Sequence, residues 1–296
     1  MNLWGIDLGG TKIECAVLKN DAPILRERIP TEADQGYEHI ISQIKKLINQ
    51  VSNEISEKPA KIGFSTPGVL DSKTQRMKNC NTVSMNGKPM KADLENALQT
   101  EINIANDANC FALAETLLGA GRDFPNAEVV FGVILGTGVG GGLVVHRKII
   151  EGIHKIAGEW GHNILEENGE ICYCGKRGCV EKVISGVALE GFYAKISGHN
   201  LKLKQIVENH FAGNDEFASK TIERLLEFYG RAISTLINVL DPNLIVIGGG
   251  VGNIDLLYTE GFERIKKYMF NPGELKTIIR KPALGDSAGV FGAALL

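Results

Sequence analysis

The chain has 296 residues, 44% hydrophobic and 23% charged, with a formal net charge of −3, which suits a soluble globular protein long enough for two domains with sizeable cores. This composition excludes a disordered chain, its slight acidity gives no electrostatic footprint for nucleic acid, and no apolar run is long enough for a membrane span. The expected partner is a small molecule.

In chain order, residues 3–7 read as a short buried strand, Gly9–Gly10–Thr11 as a tight turn and 12–18 as the returning strand, so the protein opens on a hairpin. The apolar periodicity of 37–55 predicts a helix, followed by a strand over 61–65. A similar strand over 102–105 runs into Asn-Asp-Ala-Asn at 106–109 and then the helix-forming stretch 111–121. The second half repeats this plan. A strand over 129–135, a Gly-Thr-Gly turn and a return strand over 142–146 precede a long helix over 220–240 and a strand over 244–247 that ends in three glycines.

The 35 glycines are bunched in GIDLGGT, GTGVGGG, IGGGVG and LGDSAGVFGAA, after apolar runs, where backbone must approach a ligand or adopt positive φ. The strand, glycine turn and strand of both halves predict two related α/β domains facing a cleft. The boundary falls near Gly121. It separates a smaller N-terminal domain, 1–120, from a larger one, 121–287, and the last helix, about 288–296, packs back on the first.

His162, Cys172, Cys174 and Cys179 lie within eighteen residues and form a complete tetrahedral ligand set for zinc, with no vacant position, as suits a structural ion. A disulfide or redox pair and merely incidental cysteines are the alternatives. Cys172 and Cys174 are too close for an easy bond, and without a secretory segment at the N-terminus a reducing cytoplasm is the expected location. The metal would shape the loop 158–181 and bring together Glu159 and Glu181, which bracket the ligands. Cys15, Cys80 and Cys110 read as small buried hydrophobes.

No Walker-type GxxxxGK[ST] loop occurs. Gly136, Gly138 and Gly141 fit GxGxxG spacing, yet the strand-like LVVHRKII follows where a dinucleotide site needs a helix. The two glycine–threonine turns can cradle phosphates through clustered backbone N–H groups, or are merely tight hairpins. Asp107 sits at a strand's carboxyl end, the usual ligand position in parallel α/β sheets, although it could simply cap the following helix. Asp7 is likewise a candidate ligand or a strand-end turn residue.

GIDLGGTK at 5–12, STPG at 65–68, NDAN at 106–109, GTGVGGG at 136–142, GEWGH at 158–162, CYCGKRGCVE at 172–181 and DPNLIVIGGG at 241–250 together resemble the ROK (repressor, open reading frame, kinase) family of sugar kinases. The match covers nearly the whole chain in order. NCNTVSMNGKPMKADL, GEWGHN and the CYCGK form of the zinc loop are similar to bacterial fructokinase/mannokinase-type members. The resemblance implies an actin-like, ribonuclease H-like ATPase fold with ATP in the interdomain cleft, Mg²⁺, a structural Zn²⁺, transfer of the γ-phosphate to a hexose hydroxyl, and a homodimer.

By the same resemblance Asp107 accepts the proton of the sugar hydroxyl. Asn81 and Asn106 offer amide groups to the sugar, Glu159 and Glu181 offer acceptors, and Gly68 lets backbone approach the ring. His162 would hold zinc through one ring nitrogen and donate to a hydroxyl through the other. Asp7, Gly9, Gly10, Thr11, Lys12, Gly136, Thr137 and Gly138 would line the phosphates and Mg²⁺, and Gly248, Gly249 and Gly250 would lie against adenosine. Fructose leads as substrate, with mannose and glucose close behind and an N-acetylglucosamine or N-acetylmannosamine kinase as the alternative. A sugar-responsive transcription regulator of the same family would carry a helix-turn-helix ahead of the glycine motif. Here the first strand begins at Leu3 and the phosphate turns and Asp107 are intact, which favours the kinase.

Overall fold

Buried runs and amphipathic repeats partition the chain, in a computed structural model that describes residues 2–270 and 273–296, into twelve strands and nine α-helices among those residues. In order these are β1 (Leu3–Leu8), β2 (Lys12–Lys19), β3 (Ala22–Pro30), α1 (Tyr37–Ile55), β4 (Lys61–Thr66), β5 (Val69–Leu70), β6 (Met77–Lys78), α2 (Met90–Leu98), β7 (Glu101–Asn106) and α3 (Asp107–Leu117). There follow β8 (Val129–Leu135), β9 (Val139–Val145), β10 (Lys148–Ile149), α4 (Val180–Ile184), α5 (Gly186–Ser197), α6 (Leu203–Ala212), α7 (Glu216–Leu240), β11 (Leu244–Gly248), α8 (Glu260–Tyr268), β12 (Ile278–Arg280) and α9 (Ala288–Ala294).

Two compact units result. The first holds the chain up to Asp123 together with Arg147–Ala157 and Ala283–Leu296; the second holds Phe124–His146 and Gly158–Pro282. Residues 147–157 and 283–287, expected with the larger domain, thus cluster with the first unit.

In the first unit the sheet runs β3-β2-β1-β4-β7, antiparallel over its first three strands and parallel over β1, β4 and β7. Trp4, Ile6 and Leu8 join Ile40, Ile44 and Leu47 of α1 in one core; the helical residues recur at the three- and four-residue intervals that put them on one face. The opposite face is cleared for α9. Gly5 and Gly63 stand side by side on β1 and β4, and a side chain on either would strike the α9 backbone, at Val290 and Ala293 respectively.

In the second unit β9, β8, β11 and β12 lie side by side in that order. Val133, Leu135, Ile245 and Ile247 pack there with Ile222, Leu225 and Ile233 of α7. That helix starts at Glu216 rather than 220 because Asp215 caps it, accepting the N–H groups of Phe217 and Ala218 at 2.9 and 3.0 Å. No helix among the described residues is long and apolar enough to cross a membrane.

Some elements differ from the sequence reading. Strand β7 extends to Asn106 and α3 already starts at Asp107, ahead of the helix-forming stretch 111–121, and β9 begins at Val139 rather than 142. Strand β3, with a single-sided pattern of exposed and half-buried residues at the sheet edge, and the helices α2, α4, α5, α6 and α8 were not expected.

Candidate functional site

At the carboxyl ends of β1, β4 and β7 the first unit gathers its polar side chains. Ser65 Oγ donates to Asp7 Oδ1 at 2.7 Å across the β1–β4 pair, and burial holds the Asp7 carboxyl above its ordinary range despite that bond. A Cβ on Gly289 would lie 3.2 Å from Asp7 Oδ1, so α9 meets the carboxyl with bare backbone. A carboxyl this buried is ionised most readily beside a cation.

The turn after β1 closes when Gly9 N–H donates to the Lys12 carbonyl at 3.0 Å. Buried Thr31 braces it, donating Oγ–H to the Gly9 carbonyl at 2.7 Å and N–H to the Thr11 carbonyl at 3.0 Å. Gly10 faces Thr82, next to Asn81, at 3.6 Å from a built Cβ to Oγ1.

Gly68 has no room for a side chain, since a Cβ would come within 2.5 Å of Cys80 Sγ. Asn86 grips Cys80 in turn, accepting its N–H at 2.9 Å and donating to its carbonyl at 3.1 Å. Thr66 Oγ1 lies 2.8 Å from the Gly68 carbonyl and 3.3 Å from that of Ala105. Gly68, the segment around Asn81 and the β7–α3 junction therefore share one corner.

At that junction Asn106 is the cap, its Oδ1 accepting the Asn109 N–H at 2.8 Å. The capping role considered for Asp107 thus belongs to its neighbour, and what Asn106 offers a ligand is its NH₂ group. Asp107 opens the helix, with Oδ1 accepting the Ala108 N–H at 2.8 Å. Burial first, and then the charges of Asp7 and Asp107, push the Cys110 thiol well above its usual range.

In the second unit the β8–β9 hairpin turns through Gly136, Thr137 and Gly138, with Gly136 N–H donating to the Gly138 carbonyl at 3.0 Å. Glu181 of α4 braces this turn: its Oε2 accepts the Val139 N–H at 3.0 Å and would lie 2.6 Å from a Cβ on Gly138. Gly249, with φ of +84°, packs against the Leu135 carbonyl and Gly136 N, a position that only glycine fits. The turn Gly248–Gly249–Gly250 therefore touches the Gly-Thr-Gly turn.

The segment GEWGH is pinned to the same hairpin. Trp160 is buried, donates Nε1–H to the Gly140 carbonyl at 3.0 Å and meets Phe131 edge-on at 6.3 Å between ring centres. This presents His162, whose Nδ1 lies 3.5 Å from Cys172 Sγ; Cys174 and Cys179 approach at 3.5 Å, and all four ligand atoms lie within 4.8 Å of one another. A zinc tetrahedron with bonds of about 2.3 Å would separate its sulfurs by about 3.8 Å, so this donor set fits the ion with little rearrangement. Burial pushes the Cys179 thiol up to about 12, a thiol that only a cation would turn into thiolate at neutral pH.

Tyr173, between two of the cysteines, was not anticipated. Its Oη lies 2.9 Å from His162 Nε2, with the rings edge to face at 5.0 Å. The second ring nitrogen, expected to donate to a sugar hydroxyl, is thus taken by Tyr173 in this structure. Partial desolvation, then the carboxylates of Glu181 and Glu159, push the Tyr173 phenol up to about 12. The signal available in the sequence was Tyr173's place inside CYC itself.

Two α/β units, each opening on a strand, glycine turn and strand hairpin, define an actin-like ATPase fold. The ROK family pattern matches residues 3–296, and the chain belongs to the ROK family of sugar kinases. An N-acetyl-D-glucosamine kinase of Vibrio vulnificus is 36% identical over 99% of this chain and 98% of its own length. Among solved structures, a ROK hexokinase from Thermus thermophilus is 29% identical with a TM-score of 0.90, covering 100% of this chain and 97% of that one. A ROK glucokinase from Streptomyces griseus, in complex with glucose and AMPPNP, is 25% identical with a TM-score of 0.79 over 99% and 98% of the two chains. The chain is an ATP-dependent carbohydrate kinase. Fructose, the leading sugar on sequence, finds no support in these relatives.

Proposed function

We propose that this chain phosphorylates N-acetylglucosamine, transferring the γ-phosphate of ATP to a hydroxyl of the sugar. The observation that carries this reading is the 36% identity, along essentially the full length of both chains, to an N-acetyl-D-glucosamine kinase. Glucose is the second reading, favoured by the likeness to the hexokinase and the glucokinase.

Phosphoryl transfer asks a protein for alignment and charge neutralisation more than for covalent chemistry. In the first unit Asp107 orients the acceptor hydroxyl and takes its proton late, since an ordinary carboxylate is a weak base toward an alcohol. Gly68, Asn81 and Asn106 contact the sugar from the corner they share. Asp7 and the turn Gly9–Lys12 face phosphate and Mg²⁺, with Asp7 supplying the carboxylate that a cation would keep ionised. In the second unit Glu159 and Glu181 accept from sugar hydroxyls, Gly136, Thr137 and Gly138 face phosphate, and Gly248–Gly250 lie against the adenosine. His162, Cys172, Cys174 and Cys179 hold a structural zinc ion, supported by the ligand spacing; bound there, the ion fixes a loop and leaves no position for substrate.

The test is ADP release from Mg-ATP with N-acetylglucosamine, N-acetylmannosamine, glucose, mannose and fructose, compared by kcat/KM. Highest kcat/KM for N-acetylglucosamine supports the reading; preference for glucose moves it to the second, and preference for fructose refutes both.

A further inference from the structure

Within the first unit lies a cavity of about 100 Å³. Val69, Leu70, Ile104 and Ala105 give it apolar lining, while Ser72, Gln75 and the ion-paired Glu151 and Lys155 give it donors and acceptors. Its position follows from the chain. Val69 is the residue after Gly68 and Ala105 the residue before Asn106, so their Cα atoms are about 3.8 Å from those of the neighbours, and the Ala105 Cα is roughly 7 Å from that of Asp107. The Thr66 hydroxyl, close to the carbonyls of both Gly68 and Ala105, ties these two stretches together.

The polar lining is held in place. Asp71 accepts the N–H groups of Lys73 and Thr74 at 3.1 and 3.0 Å and so shapes the turn carrying Ser72 and Gln75. Lys78 Nζ reaches Asp71 Oδ2 at 3.1 Å and the His154 carbonyl at 3.4 Å, joining that turn to the loop that carries Glu151 and Lys155.

A sugar hydroxyl needs one or two polar atoms and would leave such a space to about three waters, at roughly 30 Å³ each. An acylamino group uses all of it: the methyl takes the apolar lining, the carbonyl oxygen a donor, and the N–H an acceptor. We propose that this cavity receives the acylamino substituent of the sugar, with Ile104 and Leu70 limiting its size and Gln75 and Ser72 meeting the amide. This rests on the N-acetylglucosamine reading above.

Ile104→Phe, which fills the cavity, should lower kcat/KM for N-acetylglucosamine at least tenfold more than for glucose, the scale on which a pocket rejects a misfitting group. Gln75→Ala should lower the same ratio by a smaller factor. On the unaltered protein, N-acetyl- and N-propanoylglucosamine should be accepted and N-benzoylglucosamine should lose more than tenfold, a comparison that stands even where Ile104→Phe fails to fold. Parallel loss on both sugars in Ile104→Phe, or equal use of the benzoyl and acetyl sugars, overturns the cavity assignment alone. Absence of N-acetylglucosamine turnover by the unaltered protein overturns the functional reading and the assignment with it.

Discussion

Glu115 of α3 is completely buried and its charge is met by backbone. Oε2 accepts the N–H groups of Ala120 at 2.9 Å and Ala283 at 3.0 Å, and Oε1 accepts that of Leu284 at 2.9 Å. Ala120 lies just before the first chain segment of its unit ends at Asp123, and Ala283 and Leu284 open the last one, so one carboxylate fastens both ends to the helix that begins with Asp107. Consider Glu115→Gln. The amide oxygen can replace Oε2 and serve Ala120 and Ala283, but its NH₂ then faces the Leu284 N–H, donor against donor. Orphaning that buried N–H costs about 1–3 kcal/mol, and two hydrogen bonds that lose their charge assistance cost about 0.5–1 kcal/mol each. Relief from burying a charge returns part of this, leaving a net loss of about 2–4 kcal/mol and a fall in Tm of roughly 5–12 °C. Scanning calorimetry at pH 7 measures it, with Glu115→Ala, which orphans all three donors, expected to fall further. A shift below about 1 °C in Glu115→Gln would refute the assignment of Glu115 as the fastening for these segments.

Asp107→Ala should abolish turnover while sugar affinity, measured by calorimetric titration, stays within about fivefold; retained turnover removes Asp107 from the chemistry. Cys174→Ser should lose zinc, read by elemental analysis, and weaken sugar binding; full activity in a zinc-free preparation refutes a supporting role for the loop. Glu227 is held down to about 2, from 4.5, first by the Tyr268 hydroxyl and then by Arg231 and Lys267. Its folded value is the lower one, so its stabilisation is complete above about pH 4.5 and is lost as pH falls toward 2. After allowance for partial exposure, Glu227→Gln should cost about 1–2 kcal/mol in urea unfolding at pH 7 and little at pH 2.5; an equal cost at both pH values refutes the electrostatic account.

Local chemistry was legible where one residue type allows one conformation or one ligand. The hairpin β1–β2, the helix α1 and the four zinc-type ligands follow from glycine turns, apolar periodicity and donor spacing, and each is found where those rules put it. What the sequence hid depends on partners far away in the chain. Edge strand β3 alternates too weakly to be read alone; it is recruited because Arg26 and Arg28 reach the buried Glu14 of β2, at 2.6 and 2.7 Å. The end of α7 was legible and its start was not, because Lys220 already lies in the second turn of a helix whose cap, Asp215, looks like any loop acid. Nor does spacing reveal that Asn106 rather than Asp107 closes the start of α3, since either side chain caps well and only the backbone decides. Glu115 is unreadable for the same reason, as two of its three donors come from 168 and 169 residues away.

The zinc-type loop also has a second dependent that ligand spacing alone does not disclose. Cys179 is the residue before α4 and Glu181 the second residue in it, so fixing the cysteine fixes the start of that short helix. From there the Glu181 carboxylate holds the Val139 N–H and bounds Gly138, which belongs to the turn proposed for phosphate. Gly136 of the same turn accepts the N–H of Gly186, where the next helix begins. A loop that served the sugar alone would, when loosened, change only sugar binding. Because Glu181 touches the hairpin backbone, loosening it removes a charge-assisted hydrogen bond worth about 1.5–3 kcal/mol from the turn proposed for phosphate as well. Of the two acids bracketing the cluster, Glu181 joins the zinc-type loop to the turn through its carboxylate, and nucleotide binding, measured by calorimetric titration, should depend on it far more than on Glu159.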